Sequence, residues 1–188
     1  MRIIAGKHKG RRIETPREIS GDIRPTSDFA REAIFNILLH SKHGLNGHSF
    51  ADQVVLDMYC GTGAFGLEAL SRGAAHVTFL DQSRDALSIA KHNVERYGEA
   101  TQADYIHGDA TRLPKPRRRY GVVFLDPPYF SNLIPNTLKA LHEGEWITDD
   151  GLVIIEHDAK ETIAIPEPFT SIDQRRYGRA VLEVLTLS

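Results

Sequence analysis

The sequence predicts an α/β fold in which a mostly parallel sheet carries helices on both faces. Short apolar runs alternate with stretches of helical periodicity between residues 54 and 155, which is the pattern of repeated strand–helix units. An aspartate stands at or just beyond the end of four of these runs. The last two apolar runs flank Tyr177-Gly178-Arg179 and predict an antiparallel hairpin. With 188 residues, the chain fits one domain around a single core.

The composition is that of an ordinary globular protein, with 41% hydrophobic and 26% charged residues. Cys60 is the only cysteine, so the chain has no internal disulfide, and we expect a cytoplasmic location. No apolar run approaches the ~20 residues of a membrane span, and the N-terminus lacks the apolar segment of a signal peptide. The histidines and the cysteine have no close metal-ligand spacing, so we expect no metal.

The charge is unevenly distributed along a chain whose net charge is −2. Residues 1–20 carry six basic and two acidic side chains, and smaller basic clusters lie at 115–119 and 175–179. Such clusters on an otherwise acidic protein are typical of a surface that binds a polyanion, although basic residues also cluster on ordinary solvated surfaces. We favour nucleic-acid binding for the first cluster and leave both interpretations open for the other two.

The N-terminal residues predict a small hairpin with a basic tip. Residues 1–5 and 11–15 resemble short strands joined across Gly6-Lys7-His8-Lys9-Gly10, and residues 16–24 form a linker. We therefore expect a hairpin extension over 1–24 and the main domain over 25–188. Thr26 is a plausible N-cap for a helix whose apolar residues recur through position 38. The candidate nucleic-acid contacts are Lys7, Lys9, Arg11, Arg12 and Arg24.

The first strand of the main domain leads into a glycine-rich turn. The apolar run from Val54 ends in Asp57, and Gly61, Gly63 and Gly66 follow with G-x-G-x-x-G spacing before a helix over 64–71. This pattern occurs with dinucleotides and with S-adenosylmethionine, and some such turns bind nothing. Asp57 favours S-adenosylmethionine, because a pyrophosphate on the helix N-terminus disfavours a nearby carboxylate. S-adenosylmethionine instead carries an ammonium and a sulfonium.

Further strands and helices follow in alternation. The predicted strands cover 76–80, 103–107, 121–125, 152–155, 170–176 and 180–187, and the helices run from the Ser83 cap to about 97 and over 132–143. This arrangement places Asp57, Asp81, Asp109 and Asp126 at the carboxyl ends of parallel strands, where open α/β sheets bind ligands.

Two of these acids have a candidate role and a structural alternative. Asp81 lies 20 residues after Gly61, the separation at which an acid reaches the ribose hydroxyls of a bound adenosine. Its alternative is a favourable charge at the start of the helix capped by Ser83. Asp109 could accept the adenine amino group, although Gly-Asp is also an ordinary turn sequence.

The tetrapeptide Asp126-Pro127-Pro128-Tyr129 gives the most specific signal. Its two prolines fix two φ angles and remove two N–H donors, which leaves a rigid backbone presenting carbonyl oxygens. A planar base with an amino group fits this arrangement: Tyr129 stacks on it, while Asp126 and a main-chain carbonyl accept the amino hydrogens. Accepting both hydrogens localises the nitrogen lone pair and directs it at a methyl group. The alternative is a rigid turn with a surface tyrosine.

Together these motifs resemble the bacterial small-subunit (16S) rRNA guanine-N2 methyltransferases over nearly the whole chain. The resemblance rests on residues 2–6, 9–11, 24–26 and 31–36, on 57–74, and on the tetrapeptide. It implies a Rossmann-like class I methyltransferase sheet, S-adenosylmethionine as cofactor, and 16S rRNA as substrate, either free or in an assembling small subunit. Two positions depart from the family pattern: Cys60 replaces an alanine, and Asp81 replaces the more usual glutamate.

The resemblance also assigns site residues. The predicted cofactor-binding set is Asp57, Tyr59, Gly61, Gly63, Asp81, Gln82, Asp109 and Ala110. The predicted catalytic set is Asp126, Pro127, Pro128 and Tyr129, which would hold the target guanine. The reaction implied is direct methyl transfer to guanine N2, without a covalent enzyme intermediate or a metal. Separately, we expect a monomer.

Three other functions explain only part of the sequence. A nicotinamide-dependent dehydrogenase accounts for the glycines and Asp81 but leaves Asp57 and the two prolines without a role. A DNA methyltransferase shares the chemistry, but such enzymes usually carry a target-reading region, for which 188 residues leave no room. A non-enzymatic RNA-binding module needs the basic clusters and has no use for Asp126 to Tyr129.

Overall fold

The computed structural model describes residues 1–15, 28–42, 44–45 and 50–188. Within these residues the helices are α1 (Asp28–His40), α2 (Ala64–Ser71), α3 (Arg84–Arg96) and α4 (Leu133–Glu143). The strands are β1 (Val54–Met58), β2 (His76–Asp81), β3 (Ala103–His107), β4 (Tyr120–Leu125), β5 (Ile147–Asp158), β6 (Phe169–Tyr177) and β7 (Ala180–Leu187). The predicted strand–helix alternation is therefore confirmed.

All seven strands belong to one sheet with the order β3-β2-β1-β4-β5-β7-β6. Strands β1 to β5 run parallel, whereas β7 is antiparallel to both β5 and β6. The predicted α/β class, with its C-terminal antiparallel hairpin, is confirmed. The chain moves outward from β1 to β3 and then returns to place β4 on the other side of β1. This reversal opens a crevice at the carboxyl ends of β1 and β4.

The sheet is covered on both faces by apolar side chains. On β4, Val122 and Phe124 belong to the cluster that includes α1, α2 and α3, while Val123 and Leu125 belong to the cluster under α4. All four are at most 2% exposed, which explains why this strand is a continuous apolar run rather than an alternating one. Because β4 is packed on both faces, the position of Asp126 directly after its carboxyl end is also fixed.

Strand β5 is much longer than the predicted 152–155. Tyr120 pairs with Ile147 and Val122 with Leu152, so residues 148–151 of β5 stand opposite the single residue Gly121. The sequence Thr-Asp-Asp-Gly has the composition of a turn, which conceals the strand start. At its other end β5 continues to Asp158 by pairing with β7, beyond the last β4 pair, Leu125 with Ile155. Glu156 therefore lies within β5, next to the point where β4 ends and Asp126 follows.

Residues 1–15 form the expected N-terminal hairpin. The Ile3 N–H donates to the Arg11 carbonyl (2.9 Å) and the Ile13 N–H to the Met1 carbonyl (3.1 Å). Both isoleucines are at most 2% exposed, so the hairpin shares the core of the main sheet. The boundary proposed after residue 24, Arg24 itself and the Thr26 cap lie outside the described residues.

Within the described ranges, no helix has the length and apolar character needed to cross a membrane.

Candidate active site

The glycine turn after β1 is held by two of the predicted acids. Asp57 accepts a hydrogen bond from the Gly66 N–H at 2.9 Å, and Asp81 accepts one from the Gly61 N–H at 3.0 Å. Tyr59 and Gly61 have φ angles of 57° and 52°, in the left-handed region. The carboxylates thus fix a turn whose backbone alone is conformationally costly.

The three glycines of this turn have different surroundings. A Cβ at Gly61 would have no described atom within 4 Å, whereas a Cβ at Gly66 would lie 2.3 Å from the Phe79 ring. A Cβ at Gly63 would lie 2.9 Å from the Ala90 side chain. Gly63 and Gly66 therefore allow the glycine turn and α2 to pack against β2 and α3. Gly61 leaves open space over its backbone, the property a ligand-binding turn requires.

Acidic side chains are concentrated at the carboxyl ends of β1 and β4. Asp57 is 2% exposed, and burial raises its pKa well above the usual value, with smaller contributions from the negative charges of Asp126 and Asp81. Asp57 pairs with Phe124 on β4, two residues before Asp126, so the two acids lie at the same end of neighbouring strands. A group carrying positive charge, such as an ammonium or a sulfonium, suits this acid-rich position because it favours the ionised carboxylates.

Asp81 and Asp109 already serve local structure. Asp81 accepts the Ser83 N–H at 2.8 Å as well as the Gly61 N–H, so its alternative role at the start of α3 is present. Asp109 accepts the N–H (2.8 Å) and hydroxyl (2.7 Å) of Thr111, and these bonds lower its pKa. Each carboxylate oxygen has two lone pairs, so these contacts leave acceptor capacity for ribose or adenine groups.

The remaining predicted cofactor residues surround the same strand ends. The Tyr59 hydroxyl lies 2.7 Å from the Thr137 hydroxyl on α4, and burial raises its pKa to about 12. Gln82 is exposed, and its main-chain carbonyl oxygen lies 3.0 Å from Nε2 of His107. Ala110 is 3% exposed beneath the apolar layer of α4. The hydroxyl contact of Tyr59 ties the turn to α4.

The tetrapeptide forms the wall opposite the glycine turn. Asp126 and Tyr129 are half-buried, Pro127 is buried and Pro128 is exposed. The Tyr129 hydroxyl donates to Glu156 Oε1 at 3.1 Å, and the Arg179 guanidinium lies 5.8 Å from the Tyr129 ring centroid. The aromatic ring is therefore held from β5 and from the β6–β7 hairpin.

The loop after the tetrapeptide is fixed by a second glutamate. Phe130 has a φ of 58°, and its N–H donates to Glu161 Oε1 at 2.5 Å. The other carboxylate oxygen of Glu161 accepts the Asp158 N–H at 2.8 Å. This bridge joins the end of β5 to the loop, so the tetrapeptide and Glu156 are held in a fixed relation.

Glu156 is the site residue that sequence reasoning missed. It is 5% exposed, and its Oε2 has no hydrogen-bond partner among the described residues. Burial raises its pKa to about 8, and the charge of Asp126 adds to that shift. As an acid directly after an apolar run it had the same signal as Asp126 after Leu125. Its bond to Tyr129, 27 positions away, was not predictable from the sequence.

The four predicted nucleic-acid contacts of the hairpin divide into two pairs. Lys7 lies 2.8 Å from the buried Glu99, and the Arg11 guanidinium stacks 4.2 Å from the Tyr97 ring centroid. Both therefore help to hold the hairpin on the end of α3. Lys9 and Arg12 are exposed, and Arg12 borders an open depression with Glu14, Thr15 and Arg96.

The other two basic clusters are largely ion-paired. In the second, Arg118 lies 3.0 Å from Asp104 and Arg119 lies 2.6 Å from Asp149. In the third, Arg175 lies 2.9 Å from Asp173, and Arg179 pairs with the buried Asp158. These pairs reduce the net positive charge each cluster presents to solvent. No group of three or more potential metal ligands occurs in the described part of the chain.

Comparison with known proteins agrees with this architecture. The family model described as "Conserved hypothetical protein 95" matches residues 1–186. "Ribosomal RNA small subunit methyltransferase D" of Haemophilus influenzae is 32% identical over 182 residues, covering 95% of this chain and 89% of the relative. The Escherichia coli K12 protein of the same name is 32% identical over 161 residues, covering 85% and 76%.

A solved structure extends the agreement to the fold. The Escherichia coli protein yhhF, provisionally described as a methyltransferase, superposes with a TM-score of 0.84 at 27% identity. The alignment covers 100% of this chain and 98% of that one. The family model spans nearly the full sequence, and the relatives match over most of their own length. This chain therefore belongs to the ribosomal RNA small subunit methyltransferase D family.

Proposed function

We propose that this methyltransferase uses S-adenosylmethionine to methylate the exocyclic N2 amine of a guanine in 16S rRNA. One observation supports this most strongly: the acid of the glycine turn and the acid of the tetrapeptide lie close enough for Asp126 to raise the pKa of Asp57. They stand on neighbouring parallel strands, where Asp57 pairs with Phe124 and Met58 with Leu125. A cofactor held by one and a base held by the other would meet at the crevice.

The residues of the glycine turn fit the cofactor. Gly61 leaves its backbone open to a ligand, and a cationic molecule bound beside Asp57 would favour the ionised form that burial disfavours in the free protein. Asp81 would hold the ribose hydroxyls, with Asp109 near the adenine amino group and Tyr59, Gly63, Gln82 and Ala110 around them. When bound, S-adenosylmethionine supplies an electron-poor methyl carbon, whose bond to sulfur breaks with both electrons remaining on sulfur.

The tetrapeptide would prepare guanine N2 as the nucleophile. The amine lone pair of guanine is delocalised into the ring, which makes it a weak nucleophile. Asp126 and a carbonyl oxygen of the rigid Pro127-Pro128 backbone would accept its two hydrogens and localise that lone pair. The lone pair forms the new bond to carbon, and the proton that N2 loses passes to Asp126 and then to solvent. The Tyr129 ring would stack on the base.

The target base would have to leave its stack to enter this pocket. Beside the tetrapeptide, residues 130–135 and 161–164 line an open cavity of about 340 Å³, which gives room for a nucleotide next to the target. The exposed Lys9 and Arg12 of the hairpin would contact the phosphate backbone, together with Arg24. The substrate would be 16S rRNA, either free or in an assembling subunit.

The test separates chemistry from binding. Asp126→Ala removes a contact that matters most in the transition state, so single-turnover methyl transfer should fall by about 10²-fold with cofactor affinity unchanged. Tyr129→Ala removes stacking and should cost roughly 1–3 kcal/mol, mainly in RNA affinity. Tyr129→Phe is the matched control because it keeps the ring and should bind RNA nearly as well as wild type. A fully active Asp126→Ala enzyme would contradict the proposal.

A further inference from the structure

Glu156 has one satisfied and one unsatisfied carboxylate oxygen. Oε1 accepts the Tyr129 hydroxyl at 3.1 Å, whereas Oε2 is buried without a hydrogen-bond partner among the described residues. The residue is only 5% exposed. A buried polar atom left unpaired is costly, and a ligand that donates a hydrogen to it removes that cost.

Glu156 adjoins the tetrapeptide that would hold the base. The β4–β5 pairing ends with Leu125 beside Ile155, so Asp126 and Glu156 are the next residues on adjacent parallel strands. Tyr129 contacts Glu156 directly, and the charge of Asp126 acts on it. Glu156 thus adjoins both the proposed amine acceptor and the proposed stacking ring.

Guanine and adenine differ at the ring atom beside the amine. Both bases present an exocyclic amine next to N1, but guanine N1 carries a hydrogen and adenine N1 carries a bare lone pair. A tetrapeptide that only accepts hydrogens from an amine and stacks on a ring does not distinguish guanine from adenine. An acceptor facing N1 does, because it binds N1–H and repels a lone pair.

We propose that Glu156 is the specificity-determining residue that selects guanine, with Oε2 accepting the N1–H while Asp126 accepts a hydrogen of the amine. The proposal rests on the proposed function above. The Tyr129 hydroxyl acts as a positioning group, since it holds Oε1 and thereby leaves Oε2 for the base.

The ionisation of Glu156 fits this role. In the free protein, burial and Asp126 raise its pKa to about 8, so the carboxylate form is disfavoured until donors surround it. The N1–H of guanine supplies a second donor besides Tyr129 and favours the carboxylate, whereas a bare N1, as in adenine, can bind only the protonated form by accepting its O–H. Correct base binding and ionisation of Glu156 would therefore favour each other.

The test uses rRNA with 2-aminopurine in place of the methylated guanosine. This base keeps the exocyclic amine at the same ring carbon but has a bare N1. At pH 9, above the raised pKa of Glu156, wild-type enzyme should prefer guanosine over 2-aminopurine by about 10- to 100-fold in kcat/KM, the effect of one hydrogen bond to a charged group. Glu156→Gln should bring that ratio close to one, because the amide can donate to a bare N1 as well as accept from N1–H.

The control is Glu183→Gln, a buried carboxylate on β7 that pairs with His157 at 3.6 Å. It should leave the guanosine preference unchanged. A Glu156→Gln enzyme that slows on both substrates equally and keeps the wild-type ratio would overturn the proposal. If that variant does not fold, Tyr129→Phe gives the same measurement: a lowered ratio supports the proposal and an unchanged ratio overturns it. Wild-type enzyme that makes no N2-methylguanosine would instead refute the proposed function.

Discussion

The acids at the rim of the sheet differ in ionisation because their partners differ. Burial raises the pKa of Asp57 and Glu156, whereas hydrogen bonds from Thr111 lower that of Asp109. The free site therefore carries less negative charge near neutral pH than its number of carboxyl groups indicates. Adding a cation or a hydrogen-bond donor would restore the charged forms.

Glu156 should make the stability of the free protein depend on pH. Its pKa is raised from 4.5 to about 8, so between these values the folded protein holds a proton that the unfolded chain has lost. Its contribution is complete below the lower value and is lost as pH rises through the upper one. The stability advantage of wild type over Glu156→Gln should fall by up to about 1.4 kcal/mol per pH unit across this interval.

Urea unfolding across that pH range measures this difference. Glu143→Gln is a suitable control, because that side chain is 64% exposed at the end of α4 and should leave the wild-type profile unchanged. Parallel profiles for wild type and Glu156→Gln would show that Glu156 ionises normally.

Sequence reasoning placed the acids at the rim but could not assign their bonds. Asp57, Asp81 and Asp126 follow recognisable apolar runs, so their positions at the strand ends were predictable. That Asp81 would bond both Gly61 and Ser83 depends on how the turn lies against β2, which spacing does not encode. Glu156 follows the apolar run 152–155 and was equally predictable in position, but its burial beside Tyr129 depends on contacts between distant segments.

At the scale of elements, the glycines of the turn have two different roles: some allow close packing, and one leaves open space for a ligand. Gly66→Ala places a methyl group 2.3 Å from the Phe79 ring and should destabilise the fold by about 1–3 kcal/mol. Gly61→Ala meets no described atom within 4 Å but has a φ of 52°, so it should cost about 1 kcal/mol and weaken cofactor binding.

Chemical denaturation and calorimetry with S-adenosylmethionine separate the two variants. Gly66→Ala should show the larger loss of stability, and Gly61→Ala the larger loss of affinity relative to its stability change. Unchanged affinity in Gly61→Ala would indicate that the open face of the turn binds nothing.

The N-terminal hairpin is joined to the main sheet through α2. The buried Glu68 accepts the N–H groups of Ile4 (2.7 Å) and Ala5 (2.9 Å), and the Ser71 hydroxyl accepts the N–H of His8 (3.0 Å). These partners are more than 60 residues apart in sequence. The hairpin itself could be predicted from its glycines and strand-like runs, but its docking could not, because docking depends on tertiary contacts alone.

This docking changes the expected roles of the basic residues. Lys9→Ala with Arg12→Ala should weaken rRNA binding and reduce its salt dependence by about 1–2 units of logarithmic slope, with little effect on stability. Lys7→Ala with Arg11→Ala should instead cost about 1–2 kcal/mol of stability, because it removes the contacts to Glu99 and Tyr97. The two double variants carry the same change in net charge and thus control for each other.

Binding measured over a range of salt concentrations, together with thermal unfolding, distinguishes these roles. Equal loss of rRNA affinity in both double variants, at equal stability, would contradict this division. It would show that the four charges attract RNA only through long-range electrostatics.

For the whole molecule, the decisive feature is the reversal of strand order between β1 and β4. Alternating strands and helices predict a parallel sheet, and the C-terminal pattern predicts the antiparallel hairpin. The order of the strands was not predictable in the same way, because it depends on which faces pack together. The order β3-β2-β1-β4 brings the glycine turn and the tetrapeptide together, although 60 residues separate Gly66 from Asp126.

The most direct test follows a labelled methyl group from S-adenosylmethionine into small ribosomal subunits that lack the modification. After digestion of purified 16S rRNA to nucleosides, the label should appear in N2-methylguanosine, and Asp126→Ala should reduce it by about 10²-fold. Label in a different nucleoside, or a protein that binds NAD and transfers no methyl group, would contradict the assignment.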